Sequence, residues 1–550
     1  MSVTEKPAME SKPIEGDRES VAKGTIIGDD LDDAILRANG HRPDMKRQFN
    51  WFSALGLGFS ITNSWAGYIS NFGQSLIYGG PQVCILALVV AWIVQFLITL
   101  GLSEIASAFP STGGQYHFCY ILSPEKTKRF TAFTIGWMST LAWWVVTCSG
   151  ISLAAAVLGG MISFVHPEFV ATSWQIYLFY VAVAFITGTL RLLPTLRTDP
   201  DVPLVVPVFV ASKRIAIMVQ FTLFCSIFGM LLFLFVPTGM HKHTNDASFL
   251  VQSGLGVSGW NSGTAWVLGI TNCMYAFGAT DGAIHISEEM SHPGRRVPQV
   301  IIMTMFIGLL TSLPLFIALM FFMTDLDAVR HSPLPSMEII YQATGNRNVT
   351  IGLEALLLVV YIFSLPSQWV TCGRIAWALA RDNGIPYSHY FSKVDRKLEF
   401  PVRTTIMAFI FTLIYGLLYL ASTSAFNSII TSAVLFLNIT YAVPQGILLT
   451  QGRKEHLPPR YLNLGVLGYV CNTFSILWIV VLGVFVCMPP TLPVTTETMN
   501  YISVVTVGLF SIILGLWFFE GRKKFEGPHI DWEMIKEANL QMLKGENHQV

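Results

Sequence analysis

Apolar residues run along this chain in blocks of about twenty, separated by short polar stretches that hold most of the charge. The hydrocarbon core of a bilayer takes about 20 apolar residues of helix. Blocks of that size fall near 51–71, 82–108, 131–160, 173–190, 208–237, 263–284, 299–323, 351–379, 404–421, 426–450, 464–488 and 500–519. The pattern predicts an all-α membrane protein with twelve transmembrane helices.

Two blocks are interrupted. The first carries GLGFSITNSWAG (Gly56 to Gly67), and the sixth carries YAFGATDG (Tyr275 to Gly282). Glycine weakens a helix and a carboxylate resists burial, so both stretches need a reason. A pair of Gly-interrupted segments five helices apart points to an inverted-repeat transporter with its site at the midplane between broken helices. Irregular backbone is tolerated at that depth only where it lines a cavity. For either segment alone, close helix packing through small residues is the alternative.

Composition narrows the class. Hydrophobic residues make up 52% and charged residues 12% of the chain, against about 25% charged in soluble domains. Net charge is zero and no long basic tract occurs, so a nucleic-acid partner has no support. The eight cysteines are scattered without CxxC spacing and read as packing residues. There is no HExxH, no nucleophile elbow and no Walker loop, so neither an enzyme, a metal site, a cofactor nor ATP coupling is expected. Residues 1–50 read as a disordered cytosolic N-terminal tail, 51–519 as the transporter domain with repeats near 51–237 and 263–450, and 520–550 as a cytosolic C-terminal tail. Lys and Arg collect on alternate loops, including Lys126, Arg191, Arg197, Lys213, Arg214, Arg295, Arg296, Arg381 and Arg453. The opposite loops hold only Lys242, Arg330 and Arg347, which places both termini in the cytosol.

Several stretches are familiar: FSITNSWAG, GGP (Gly79 to Pro81), GLSEIASAFPSTGGQYHF (Gly101 to Phe118), DGAIHISEEMSHPGRRVP (Asp281 to Pro298) and ARDNGIPYSHYFSKVDRKLEFPVRT (Ala380 to Thr404). Together they resemble the fungal amino acid/choline transporter branch, choline and GABA permeases among them, of the amino acid/polyamine/organocation superfamily. The resemblance extends from about residue 50 to 405. It implies a five-plus-five inverted-repeat (LeuT-type) core with two extra helices, alternating access, and a small amine or amino acid as substrate. Proton drive and a plasma-membrane location are expected, with an internal or vacuolar membrane the alternative. One departure stands out: after RLLPTL (Arg191 to Leu196) the chain inserts RTDPDVPLVVPVFVASKR (Arg197 to Arg214), either a lengthened loop or a retained intron.

A substrate with an amine, and in some cases a carboxylate, needs two kinds of partner. Half-helix N-termini offer N–H groups to a carboxylate, while unwound carbonyls and aromatic faces favour a cation. The first break supplies Asn63, Ser64, Trp65, Ala66 and Gly67; the sixth supplies Tyr275, Phe277, Gly278 and Ala279. Trp65, Tyr275 and Phe277, with Trp143 or Trp144, are candidates for an aromatic cage; ordinary packing is the alternative for each. Asp281 is an acid at membrane depth, where charge marks function. Its candidate roles are counter-ion to the amine, proton relay, or cap of the restarting helix. Glu288 and Glu289 are candidates for a gating salt bridge with an arginine. Glu104 reads as a gating or structural group, and Arg374 needs a carboxylate partner. The favoured function is proton-coupled uptake of choline or a related amine. A GABA or other amino-acid permease is the rival of the same class, and a transporter-like nutrient sensor the rival of another.

Overall fold

A computed structural model describes residues 29–189, 215–396, 398–421, 423–495 and 499–547. The insertion 197–214, with Arg191, lies outside the described residues. In chain order the helices are α1 (Asp29–Ala38), α2 (Trp51–Thr62), α3 (Ser64–Ile69), α4 (Phe72–Gln82), α5 (Leu88–Ala108), α6 (Gln115–Leu122), α7 (Lys128–Val165), α8 (Ser173–Thr189) and α9 (Ile215–Met240). After α10 (Ser262–Cys273) comes a 3₁₀ stretch, Thr280–Glu289. Then follow α11 (Pro293–Phe322), α12 (Leu326–His331), α13 (Pro335–Thr344), α14 (Arg347–Arg381), α15 (Val402–Gly416), α16 (Thr423–Gln451), α17 (Val466–Phe485), α18 (Ile502–Leu516) and α19 (Trp532–Asn547). Among the described residues, the extended pairings are two isolated bridges, Phe49 with Met290 and Asp395 with Phe400.

Nine described helices are long and apolar enough to cross a membrane, and Ser173–Gly188 is a shorter apolar one. They coincide with the hydrophobic blocks because each is a run of apolar side chains whose backbone can satisfy itself only within a helix. The first block extends further than its apolar stretch suggests. Its outer half continues through α4 to a corner at Gly79 and Gly80, where Gly80 has φ 69°. A Cβ there would lie 2.8 Å from Leu255, so the GGP stretch turns the chain from one span into the next.

The two broken segments sit at the centre. Helix α2 starts under an Asn50 cap and packs on α9, α11, α14 and the 280–289 stretch. Contact with α9 is at backbone distance: a Cβ on Gly56 would come within 2.7 Å of the Val219 carbonyl oxygen. Around them, α7 packs on α6, α8, α14 and α16, and α11 on α5.

The N-terminal tail, expected to be disordered, is helical over Asp29–Ala38, and the C-terminal tail carries a helix as well. Helix α1 buries Leu31, Ala34, Ile35 and Ala38, and packs against α19, which buries Met534, Ile535 and Ala538. Asp531 N–H donates to the Ala38 carbonyl at 2.8 Å. A short amphipathic stripe gives each tail a face to bury, although its average composition is polar. Residues 39–50 then run as a strap along the same face of the molecule, ending in the Phe49–Met290 bridge.

Candidate functional site

Each break turns on one residue in the left-handed region that is not glycine. Asn63 has φ 31° and ψ 58°, and Ala279 has φ 58° and ψ 28°. For Ala this conformation costs roughly 1–2 kcal/mol, so the surroundings must hold it. Asn63 is held by its amide: Ser226 O–H donates to its Oδ1 at 2.7 Å, and its Nδ2 donates to Ser364 Oγ at 3.2 Å. Ending one helix and starting another also leaves carbonyls and N–H groups without helical partners. Beyond Ala279, ten residues wind as 3₁₀ helix, far longer than the usual three or four and typical of a hinge.

Between the breaks lies a cavity of about 70 Å³. Of the residues named from sequence, Asn63, Gly67, Tyr275, Gly278 and Ala279 line it. So do Ser60, Thr62, Ser149, Tyr361, Ser364 and Gln368. No charged side chain is among the described lining residues. The cavity shares Ser149, Leu153, Tyr275 and Val434 with a vestibule of about 1060 Å³, which opens on the face opposite the tails. At that boundary Tyr275 and Ser149 pair through their hydroxyls at 2.5 Å. Tyr361 donates to the Ala66 carbonyl and pairs with Ser70.

The remaining aromatic candidates pack away from the cavity. Trp65 is fully buried, stacks at a tilt on Phe233 and donates its indole N–H to Ser226 at 3.0 Å. Phe277 is buried beside Gly308, as is Ser64. Trp143 donates to Asp281 and Trp144 lies against Phe411. Ala66 is not among the described lining residues; its carbonyl accepts from Tyr361. The tryptophan cage is therefore not assembled, and Tyr275 and Tyr361 are the aromatic faces present.

Asp281 is fully buried and saturated with donors. Tyr441 O–H donates to Oδ1 at 2.5 Å; Gln115 Nε2, Trp143 and His285 Nε2 reach Oδ2 at 2.6, 3.2 and 3.1 Å. The 280–289 stretch has no side-chain cap, so the helix-cap role is not what Asp281 does here. His285 Nδ1 faces the Thr112 carbonyl at 2.9 Å. A carbonyl only accepts, so with Nε2 on a carboxylate both ring nitrogens are placed to donate. Asp281 and His285 thus form a closed knot joining α6, α7, α16 and the hinge.

On the tail face Glu288 and Glu289 each pair with an arginine. Glu289 binds Arg374 in a two-pronged pair, with Nη2 to Oε2 at 2.7 Å. Glu288 binds Arg381 through two 2.9 Å bonds and accepts from Thr112 N–H. The strap adds Gln48 on Glu289, and His41 on Asp382 at 3.1 Å, while Tyr116 also reaches Asp382. Arg295 and Arg296 do not join these pairs and instead border a surface groove with Trp51 and His292. Glu104 stands apart, tied to Arg453, Arg460 and the Leu464 N–H, so it anchors α5 to the loop before α17.

The family described as amino acid permease matches residues 49–195 and 203–510. This chain belongs to the amino acid permease family. The permease is 32% identical over 505 residues to a choline transporter of Saccharomyces cerevisiae, covering 90% of this chain and 85% of that one. It is 26% identical over 559 residues to the 7-keto 8-aminopelargonic acid transporter of the same yeast, covering 89% and 95%. It is 26% identical over 514 residues to a swainsonine transporter of Arthroderma benhamiae, covering 92% and 98%. Among solved structures, a manganese transporter of Eremococcus coleocola matches with TM-score 0.51 at 14% identity, over 92% of this chain and 95% of that one; this shows the fold alone. The permease is thus an integral membrane transporter and not an enzyme. In its present conformation the permease is open on one face and sealed by ion pairs on the other. The cavity is reached from the vestibule through the Tyr275–Ser149 boundary.

Proposed function

We propose that this permease takes up choline, or a small amine like it, from the exterior into the cytosol. The observation that carries this reading is the cavity wall: two tyrosine faces, several hydroxyls and two helix breaks, with no charged side chain among the described lining residues. A quaternary ammonium forms no hydrogen bonds and is held by ring faces and dipoles. An uncharged wall of that kind suits it. The similarity to a yeast choline transporter over most of both chains supports the same substrate. The proposal includes twelve spans, with both tails in the cytosol because Lys and Arg favour that side, a plasma-membrane location, and drive by a proton gradient.

A second reading, an amino-acid substrate such as GABA, is favoured by the N–H groups that open α3 and the 280–289 stretch, which suit a carboxylate. Uptake of labelled choline and labelled GABA into yeast lacking its own amine permeases separates the two, with surface expression checked and external pH both acidic and neutral. Choline uptake, faster at acidic pH and unaffected by excess GABA, is expected. GABA uptake alone would move the assignment to the second reading. If neither substrate enters while the protein is at the surface, the uptake reading fails and a sensor role gains.

A further inference from the structure

Helix α13 and Leu334 just before it wall the vestibule, with Met337 and Glu338 facing it, and α13 packs on α14. Beneath it lies Glu354 of α14, fully buried, with neither carboxyl oxygen in a hydrogen bond among the described residues. The Ser336 hydroxyl, at the start of α13, faces it without completing a bond and has no other partner. The contrast with Asp281 is direct. Asp281 has four donors, whereas among the described residues an ionised Glu354 has only the Ser336 hydroxyl facing it and no cation to offset its loss of water. A protonated Glu354 removes that cost and can also donate to Ser336.

Neighbouring titratable groups do not change this balance. Tyr361, two turns along the same helix, is committed to Ala66 and Ser70. On α13, Glu338 accepts from Gln342 and Tyr341 packs on Phe164. Arg347, at the start of α14, donates to the Phe164 and Val165 carbonyls. His241, beyond α9, stacks on Phe322; Cys225 on α9 is half-buried; Tyr68 on α3 donates to the Cys84 carbonyl; Cys148 on α7 is buried. None gives Glu354 a cation.

We propose that Glu354 is a proton-binding site of the outer gate, protonated while α13 is seated over it and exchanging its proton with the exterior when α13 lifts. External pH would then set how firmly the vestibule wall closes. This goes beyond the uptake reading and rests on its orientation, with the vestibule facing outward.

The test uses the full chain in intact cells, with a Ser332→Cys reporter in the vestibule labelled by a membrane-impermeant maleimide as external pH is raised from acidic to mildly alkaline. The native cysteines are buried or half-buried. Thiolate content rises with pH by itself, so Glu354→Gln with the same reporter gives the baseline slope. The wild-type rate should rise several-fold more steeply than this baseline. Glu354→Asp should restore a steep response with a displaced midpoint. A Glu354→Gln slope equal to the wild-type slope overturns the proposal. Should Glu354→Gln fail to reach the surface, Ser336→Ala carries the test: a displaced midpoint supports the site and an unchanged one overturns it. Labelling needs no substrate, so a wrong choice of choline would leave this result standing. Choline uptake, measured in parallel, should lose its pH dependence in Glu354→Gln; loss in Asp281→Asn instead, with Glu354→Gln unchanged, would place the proton at the Asp281–His285 knot and overturn the proposal.

Discussion

Tyr361 and Tyr275 both present a ring to the cavity, but their hydroxyls do different work. Tyr361 holds the Ala66 carbonyl just past the first break, whereas Tyr275 meets only the Ser149 hydroxyl. Removing one partner of a buried hydrogen bond costs about 1–3 kcal/mol. Tyr361→Phe should therefore raise the KM for choline by about tenfold, while Tyr275→Phe, which frees only a hydroxyl that can rotate, should change it by about threefold or less. Concentration series of labelled uptake would check both. The sequence marked Asn63, Gly67, Tyr275, Gly278 and Ala279 because a break announces itself by glycine and polar residues in an apolar run. It could not show which way each side chain points. Trp65 sits in the break, yet turns its indole to Ser226. Tyr361 and Gln368 come from an unbroken helix, where the only signal was the polar run SLPSQ (Ser364 to Gln368).

At the scale of elements, the pairs Glu288–Arg381 and Glu289–Arg374 join the 280–289 stretch to α14. Breaking a buried pair by removing one partner costs about 3–5 kcal/mol, because the other charge is left unpaired. Arg374→Gln should therefore lower thermal stability and admit water from the tail side. The double change Arg374→Gln with Glu289→Gln should be milder than either single change, as melting of the purified protein would show. A double variant as damaged as Arg374→Gln alone would show that the two charges do not depend on each other. Most of this scale was legible beforehand, since membrane helices advertise their length and the two carboxylates stood ready at the hinge's end. The partner of Arg374 was not, because Glu289 lies 85 positions away and only folding brings them together. The tail helices were missed for another reason: α1 spans ten residues, too few to shift the average of a polar tail.

Over the whole molecule, the strap and both tails close one face. Burial, reinforced by His41, holds His117 below its ordinary value of 6.5. Burial would raise the Asp382 carboxyl, but the charge and hydrogen bond of His41, with Arg381, hold it below its ordinary 3.8. Both groups bind protons more readily when unfolded, so the stability they add is present above those ordinary values and fades as pH falls. His117 acts first, just below 6.5. Protection of residues 41–49 against hydrogen exchange, corrected for the intrinsic pH dependence of amide exchange, should therefore fall on mild acidification, and His117→Phe should blunt that change; an identical response in both proteins would clear His117 of the role. The uncharged cavity has an electrical consequence. With no fixed counter-charge on its described wall, a choline cation would cross the membrane field with its charge unmatched. A potential of 100 mV is worth about 2.3 kcal/mol per charge, roughly a fiftyfold difference in concentration. Each substrate ion would then enter as inward current, and the resting voltage of the cell would add to the proton gradient in setting how steep a gradient the permease can hold.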